Sequence, residues 1–351
     1  MHLAPLRRKL PFRLCATLTA ATAVLAALLL ALISTPATAA QTSPQVAVED
    51  DTGYIQQLLN NPVNGVVNLP YRPPSNPFVI RPGLVIPRGE VISGNGTTLR
   101  VMSNSGNYRA VLTAPASTDL SGLTIKGVVF DQNSAGNPIS GACASAASAN
   151  CLSPASPRFV IAVLAGTGIT ITQDVFANTN NTNTVVTGSA TRNVILSYDT
   201  FTTTDSPWHD HSSVYTSGIG TEIYGNTFTG NAAVAAAIEV HGDQVNISGN
   251  KVSGYYRGVN IAASDTNFSN NYVYTAANIV DLWSITAPSL HNVVISQNSI
   301  QLDLAYWQRA MQALGRTMPA AQYTQLVIYD AASTYPFTNI AVSGNKSIPL
   351  H

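Results

Sequence analysis

A short phrase recurs along this chain: apolar, any, apolar, any, any, Asn or Asp, any, apolar. It runs through Ile169-x-Ile171-x-x-Asp174-x-Phe176, Val194-x-Leu196-x-x-Asp199-x-Phe201, Val245-x-Ile247-x-x-Asn250-x-Val252 and Val293-x-Ile295-x-x-Asn298-x-Ile300. Looser copies centre on Asn226, Asn271 and Asn345, and Leu123, Ile125 and Phe130 keep the apolar positions around Val128. The Asn and Asp positions follow one another at 25, 27, 24, 21, 27 and 47 residues, by difference of their numbers. The last interval reads as two turns or one insertion. A period in this range means stacked units, and the alternation within each unit makes it a strand. One such strand cannot bury its apolar face alone, whereas coil stacked on coil can. The chain is therefore expected to be an all-β solenoid. Asn or Asp at each turn, stacked on its equivalent one rung away, is expected to form a hydrogen-bonded ladder.

The first forty residues read as a separate segment. A basic opening (Arg7, Arg8, Lys9, Arg13) precedes an apolar run over 14–33 and the small residues Ala37-Thr38-Ala39-Ala40, the pattern of a secretory signal. The expectation is a secreted protein, extracellular or at the cell surface, with no stable membrane insertion after cleavage. All 17 acidic residues but only 13 of the 17 basic ones lie beyond Ala40, a net of −4, which argues against a nucleic-acid partner. Charged residues are only 10% of the chain. The polar remainder, rich in Asn, Thr, Ser and Gln, suits neutral ligands such as sugars. Cys143 and Cys151 bracket a loop of small residues and are expected to form a local disulfide in an exported chain.

Residues 41–48 read as a linker. Asp50-Asp51-Thr52 opens a short helix with Ile55, Leu58 and Leu59 on one face, ended by Asn60-Asn61-Pro62. Val66-Val67-Asn68-Leu69-Pro70-Tyr71 follows, and then Leu84-Val85-Ile86-Pro87-Arg88-Gly89-Glu90-Val91-Ile92-Ser93-Gly94-Asn95-Gly96-Thr97-Thr98-Leu99. This opening resembles that of pectin-lyase-like right-handed parallel β-helix proteins, in which a short helix caps the first coil. The resemblance covers roughly residues 49–351 and implies a single right-handed parallel β-helix domain. It does not bring a chemistry with it. The N-T-D, G-H-G and R-x-K motifs that polygalacturonase-like members carry in the body of the helix do not occur there, and the one D-D lies in the capping segment. The motifs of pectate lyases, pectin methylesterases and mannuronan epimerases are absent too, so no family catalytic residue carries over. One segment, 302–316, breaks the pattern: Leu304, Trp307, Met311 and Leu314 fall at helical spacing and predict a helical insertion.

Aligning coils on the ladder position superposes Tyr215, Glu239 and Asn260, and alternation adds Asp281. A neighbouring column holds Ser217, His241, Ala262 and Trp283. With Ile238 and Val240 inward, Glu239 and His241 point outward. The corner before these strands carries Trp208-His209-Asp210-His211 on one coil and Tyr255-Tyr256-Arg257 two coils later, flanking the bare stretch 232–237. Carboxylates beside a basic group and aromatic walls are what polysaccharide binding and cleavage require. Glu239, Asp281, His241 and Tyr215 are the candidate catalytic residues. Arg257, Tyr255, Tyr256, Trp283, Asn260, His209 and His211 are the candidate substrate contacts. The expected activity is that of a glycoside hydrolase or a polysaccharide lyase on polysaccharide or oligosaccharide. A non-catalytic exported β-helix that binds glycans or forms part of the cell surface is the alternative. No cofactor or metal is expected for hydrolysis, since His209-x-His211 has no evident third ligand; a lyase would admit a calcium ion.

Overall fold

The computed structural model describes residues 49–139, 157–204, 206, 211–231, 236–274, 276, 278–313 and 326–348. The proposed signal and linker, Cys143, Cys151, His209 and the stretch 232–235 lie outside these residues. Among the described residues, every pairing between the 25 strands is parallel, and each strand pairs with its equivalent one coil away. The chain is a right-handed parallel β-helix.

Each regular coil contributes three strands and so presents three faces. The first face is built by Ser212–Thr216, Ala236–Val240, Arg257–Ile261, Asn278–Leu282 and Val327–Tyr329. The second runs through Glu222–Tyr224, Asn246–Ser248, Asn267–Ser269, Leu290–Ser296 and Phe337–Ser343. The third runs through Val175–Thr179, Thr200–Thr204, Thr227–Thr229, Lys251–Ser253, Tyr272–Tyr274, Ser299–Gln301 and Lys346–Ser347.

Registry of the repeats turns the apolar positions of the phrase into inner columns. Leu196, Ile223, Ile247, Phe268 and Ile295 stack on the second face. Phe176, Phe201, Phe228, Val252, Val273 and Ile300 stack on the third. The phenylalanines lie nearly parallel: Phe176 to Phe201 is 4.7 Å between ring centroids and Phe201 to Phe228 is 4.6 Å. These columns belong to one apolar core running from Ile55 to Ile300.

The Asn/Asp position makes the bend between the second and third faces. The residue before it adopts left-handed backbone, as at Tyr198 (φ 58°), Gly225 (φ 68°), Gly249 (φ 65°) and Gln297 (φ 56°). The side chain behind that bend joins coil to coil. Asn250 Oδ1 accepts from the backbone N–H and Nδ2 of Asn226, while Asn250 Nδ2 donates to Ile223 O and Asn271 Oδ1. The same pattern passes through Asn271 and Asn298 to Asn345. At the other end Asp199 and Asp174 continue it down to the backbone N–H of Val128. The expected ladder is therefore present. The 47-residue interval is one coil with an insertion, because Ser299 pairs directly with Lys346.

Helix α1 (Thr52–Asn60) caps the first coil with Ile55 and Leu59 buried. Gln56 makes two hydrogen bonds to the backbone of Val85, Oε1 accepting from its N–H and Nε2 donating to its carbonyl. A helix side chain thereby occupies the edge that another strand would otherwise take. The insertion contains helix α2 (Leu304–Ala313), which starts two residues later than the predicted 302–316, and residues 314–316 lie outside the described ones. Tyr306 and Trp307 are buried, whereas Leu304, expected on the apolar face, is exposed. The first turn rolls the helix onto its aromatic pair, and Asp303 Oδ1 accepts from Tyr306 N–H at its start.

Candidate functional site

The first face assembles the column expected from the sequence. Tyr215 pairs in register with Glu239, Glu239 with Asn260, and Asn260 with Asp281. Ile238, Val240, Val259, Ile261, Val280 and Leu282 on the same strands are fully buried in the core, so alternation turns the column outward. The adjoining column is set by backbone hydrogen bonds from His241 to Thr216, from Ala262 to Val240 and from Trp283 to Ile261.

Glu239 and His241 form a hydrogen-bonded pair, with His241 Nε2 2.8 Å from Glu239 Oε1. The imidazole stacks on Tyr215 at 5.0 Å and meets Trp283 edge-on at 6.2 Å. Aromatic rings on two sides thus fix the plane of His241 and leave little of Glu239 exposed (7%). One rung further, Arg257 Nε stands 2.7 Å from Asp281 Oδ2, and Asp281 is buried beneath it. Asn260 lies between the two carboxylates on the same face. Its Oδ1 and the Trp283 Nε1 are buried with no hydrogen-bond partner among the described residues. Two groups with unspent hydrogen-bonding capacity therefore flank the pair, an arrangement suited to a hydroxylated ligand.

Three expected ligand contacts are placed elsewhere. Tyr255 and Tyr256 are buried, not on the groove wall. Left-handed Gly254 (φ 79°) turns the chain at this corner, and Tyr255 Oη meets Ser213 Oγ at 2.8 Å inside the coil. Tyr256 packs with the Arg257 guanidinium 5.3 Å from its ring centroid. His211 is buried too, with Nδ1 2.8 Å from Asn181 O. Burial lowers its pKa to about 4, so it is a neutral structural histidine.

Sequence reasoning assigns no role to the wall beside His241. A cavity of about 130 Å³ is lined there by His241, Asp243, Ala262 and Ser264 together with 285–287 and 289–291. The signal was the extra length of this coil. His291 anchors it, with Nδ1 3.1 Å from Ser264 Oγ. The column does not suit a calcium ion, which takes six to eight oxygen ligands. Glu239 and Asp281 stand two rungs apart, and Arg257 already occupies an oxygen of Asp281.

A scan of protein-family models finds no match, and no curated protein matches the sequence. Solved structures do match in fold. One is the tailspike protein of E. coli bacteriophage HK620 in complex with a pentasaccharide, at 16% identity and a TM-score of 0.64, covering 86% of this chain and 54% of that one. A Glu-to-Gln mutant of the same tailspike with a deletion, in complex with a hexasaccharide, matches at 16% identity and a TM-score of 0.64, covering 86% and 53%. The chain spans about half the length of the tailspikes it matches.

Proposed function

We propose that this protein acts on polysaccharide at the first face, by glycoside hydrolysis across the column Glu239–Asn260–Asp281. The observation that carries the reading is the register, which puts two carboxylates on one face with a single rung between them. Two rung spacings are about 9.6 Å, at the upper edge of the separation that leaves room for a water and inverts the anomeric centre. The tailspike complexes with oligosaccharides support glycan as the ligand class.

In this reading Glu239 delivers its proton to the glycosidic oxygen as the bond from that oxygen to the anomeric carbon breaks. Water attacks the opposite face of the sugar, forming the new carbon–oxygen bond, and its proton passes to Asp281. His241 shares a hydrogen bond with Glu239 and orients it. Arg257 fixes the Asp281 carboxylate. Asn260 Oδ1 accepts from a sugar hydroxyl, and Trp283 offers an aromatic surface to the ring.

One contact favours a second reading. The Glu239–His241 bond also suits His241 to remove the proton α to a uronate carboxylate, which would make the protein a lyase. We place its site of action outside the producing cell, as the signal-like opening implies. Incubation with a polysaccharide panel tests these readings. New reducing ends without unsaturated product support hydrolysis, and ultraviolet-absorbing unsaturated ends support elimination. Binding without turnover would leave the non-catalytic glycan-binding alternative.

A further inference from the structure

A groove larger than the cavity beside His241 lies on the third face, on different strands from Glu239. It has a volume of about 500 Å³ and is lined by Thr227, Thr229, Lys251, Ser253, Tyr272 and Tyr274. These are the outward residues of three successive rungs: Thr227 registers with Lys251 and Lys251 with Tyr272, while Thr229 registers with Ser253 and Ser253 with Tyr274. The residues between them, Phe228, Val252 and Val273, are fully buried and fix the outward direction of their neighbours. The outer rungs are about 9.6 Å apart, room for a short stretch of a sugar chain.

The chemistry of this surface is specific. Tyr272 and Tyr274 are half-buried, with ring centroids 5.4 Å apart and planes inclined at 58°, so both present ring surface to the groove. Hydroxyls of Thr227, Thr229 and Ser253 line the rest. Beyond the tyrosines the first column continues through Ser299 to Lys346. None of the third-face strands from Val175–Thr179 to Lys346–Ser347 carries a carboxylate. Among the described residues no ion pair engages Lys251 or Lys346. The strip thus bears two lysines and no carboxylate in a chain whose residues beyond Ala40 are mildly acidic overall.

We propose that this face is a second saccharide site, separate from the Glu239 column, that binds an anionic glycan chain. The paired rings stack on sugar faces, the hydroxyls exchange hydrogen bonds with sugar hydroxyls, and Lys251 and Lys346 meet carboxylate or sulfate groups. Holding the chain here retains polymer on the molecule whether or not the first face turns it over.

The test uses the full chain with polygalacturonate as the anionic probe and dextran as the neutral one. Polygalacturonate is expected to protect Lys251 from amine acylation, read by mass spectrometry, and dextran is not. Replacing both rings (Tyr272→Ala with Tyr274→Ala) should weaken polygalacturonate binding about tenfold, the combined effect of two stacking contacts. The pair Tyr272→Phe with Tyr274→Phe keeps the rings and should retain binding. Unchanged Lys251 reactivity in the wild-type protein overturns the proposal, and that measurement needs no variant to fold. It is equally overturned if the alanine pair binds as tightly as wild type, if dextran protects Lys251 equally, or if single-stranded DNA protects it and polygalacturonate does not. A shift in sedimentation confined to the ring variants would assign the face to contact between copies and overturn it too. Glu239→Gln should leave Lys251 protection unchanged, so loss of the proposed turnover and loss of this site are read separately.

Discussion

His241 Nε2 stands 2.8 Å from Glu239 Oε1, two residues along one rung, with the imidazole held between the rings of Tyr215 and Trp283. Glu239→Gln keeps the shape and a hydrogen-bonding side chain but removes the acid. Under the proposed function, turnover should fall by about a hundredfold or more, the usual contribution of a general acid. The far-ultraviolet circular dichroism should match wild type. Wild-type turnover in this variant would remove Glu239 from the chemistry.

Trp283 flanks His241 and has a buried indole N–H with no hydrogen-bond partner among the described residues. Trp283→Phe retains the ring face and loses the donor, whereas Trp283→Ala loses both. If the ring carries sugar stacking, the alanine variant should raise KM several-fold for roughly 1 kcal/mol of lost contact. The phenylalanine variant should fall between it and wild type, with kcat changed less than KM in both. Steady-state kinetics on the productive polysaccharide checks this. Equal KM in all three proteins would reduce Trp283 to packing.

Much of this arrangement was legible in the sequence because the relevant coils are regular. Intervals of 24 and 21 residues between ladder positions left no room for an irregular loop, so Tyr215, Glu239 and Asn260 superpose by counting, while the longer next coil needs the alternation of Val280, Asp281 and Leu282 to place Asp281. Corners were less legible. Alternation does not extend through a left-handed turn, and Gly254 directs Tyr255 inward, whereas its bulk at the corner beside a bare stretch points to a groove wall. His211 is hidden for a related reason: a polar residue at a corner can satisfy a buried carbonyl of the coil below, as it does with Asn181. The 47-residue interval was ambiguous by length alone, since an inserted helix and a second turn occupy similar lengths of chain.

The ladder should be costly to break. Asn250 accepts two hydrogen bonds from Asn226 and donates to Ile223 O and Asn271 Oδ1 while fully enclosed. Asn250→Ala leaves buried donors and an acceptor without partners, a loss of about 3 kcal/mol. Asn250→Asp should cost less at acidic pH, where the protonated side chain supplies one donor. Denaturant midpoints at two pH values test both statements.

Phe201 is stacked on both faces, by Phe176 at 4.7 Å and Phe228 at 4.6 Å. Phe201→Ala opens a cavity between two rings that neighbouring rungs hold in place, so the gap closes little. The expected loss is about 3–5 kcal/mol. Phe201→Leu should recover more than half of it, because the side chain still bridges the rungs. Urea unfolding of the two variants beside wild type measures the difference, and equal losses would show that the column relaxes.

Asp174 and Asp199 occupy ladder positions where later coils have Asn. Their Oδ1 atoms accept backbone N–H groups from Val128 and Asp174, as the amide oxygens do elsewhere. Their Oδ2 atoms are buried without a partner. By the register of the ladder, Oδ2 stands where Nδ2 of an Asn donates to a carbonyl of the neighbouring coil, so a protonated carboxyl fits and a carboxylate does not. Burial raises the Asp174 pKa to about 8, and burial together with the Asp174 charge raises that of Asp199 well above the ordinary value. Both groups therefore bind protons more tightly in the folded chain than in the unfolded one. The stability they contribute is fully present below the unfolded Asp value of about 3.9 and is lost as pH rises through the folded value. Across that window the slope per group approaches about 1.4 kcal/mol per pH unit. Asp174→Asn with Asp199→Asn supplies the missing donors without a titrating group. The double variant should be more stable than wild type at pH 8, close to it at pH 4, and flatter in between. Thermal or urea unfolding across this range decides the matter: parallel profiles for the two proteins would show that the carboxyls are ionised in the folded state.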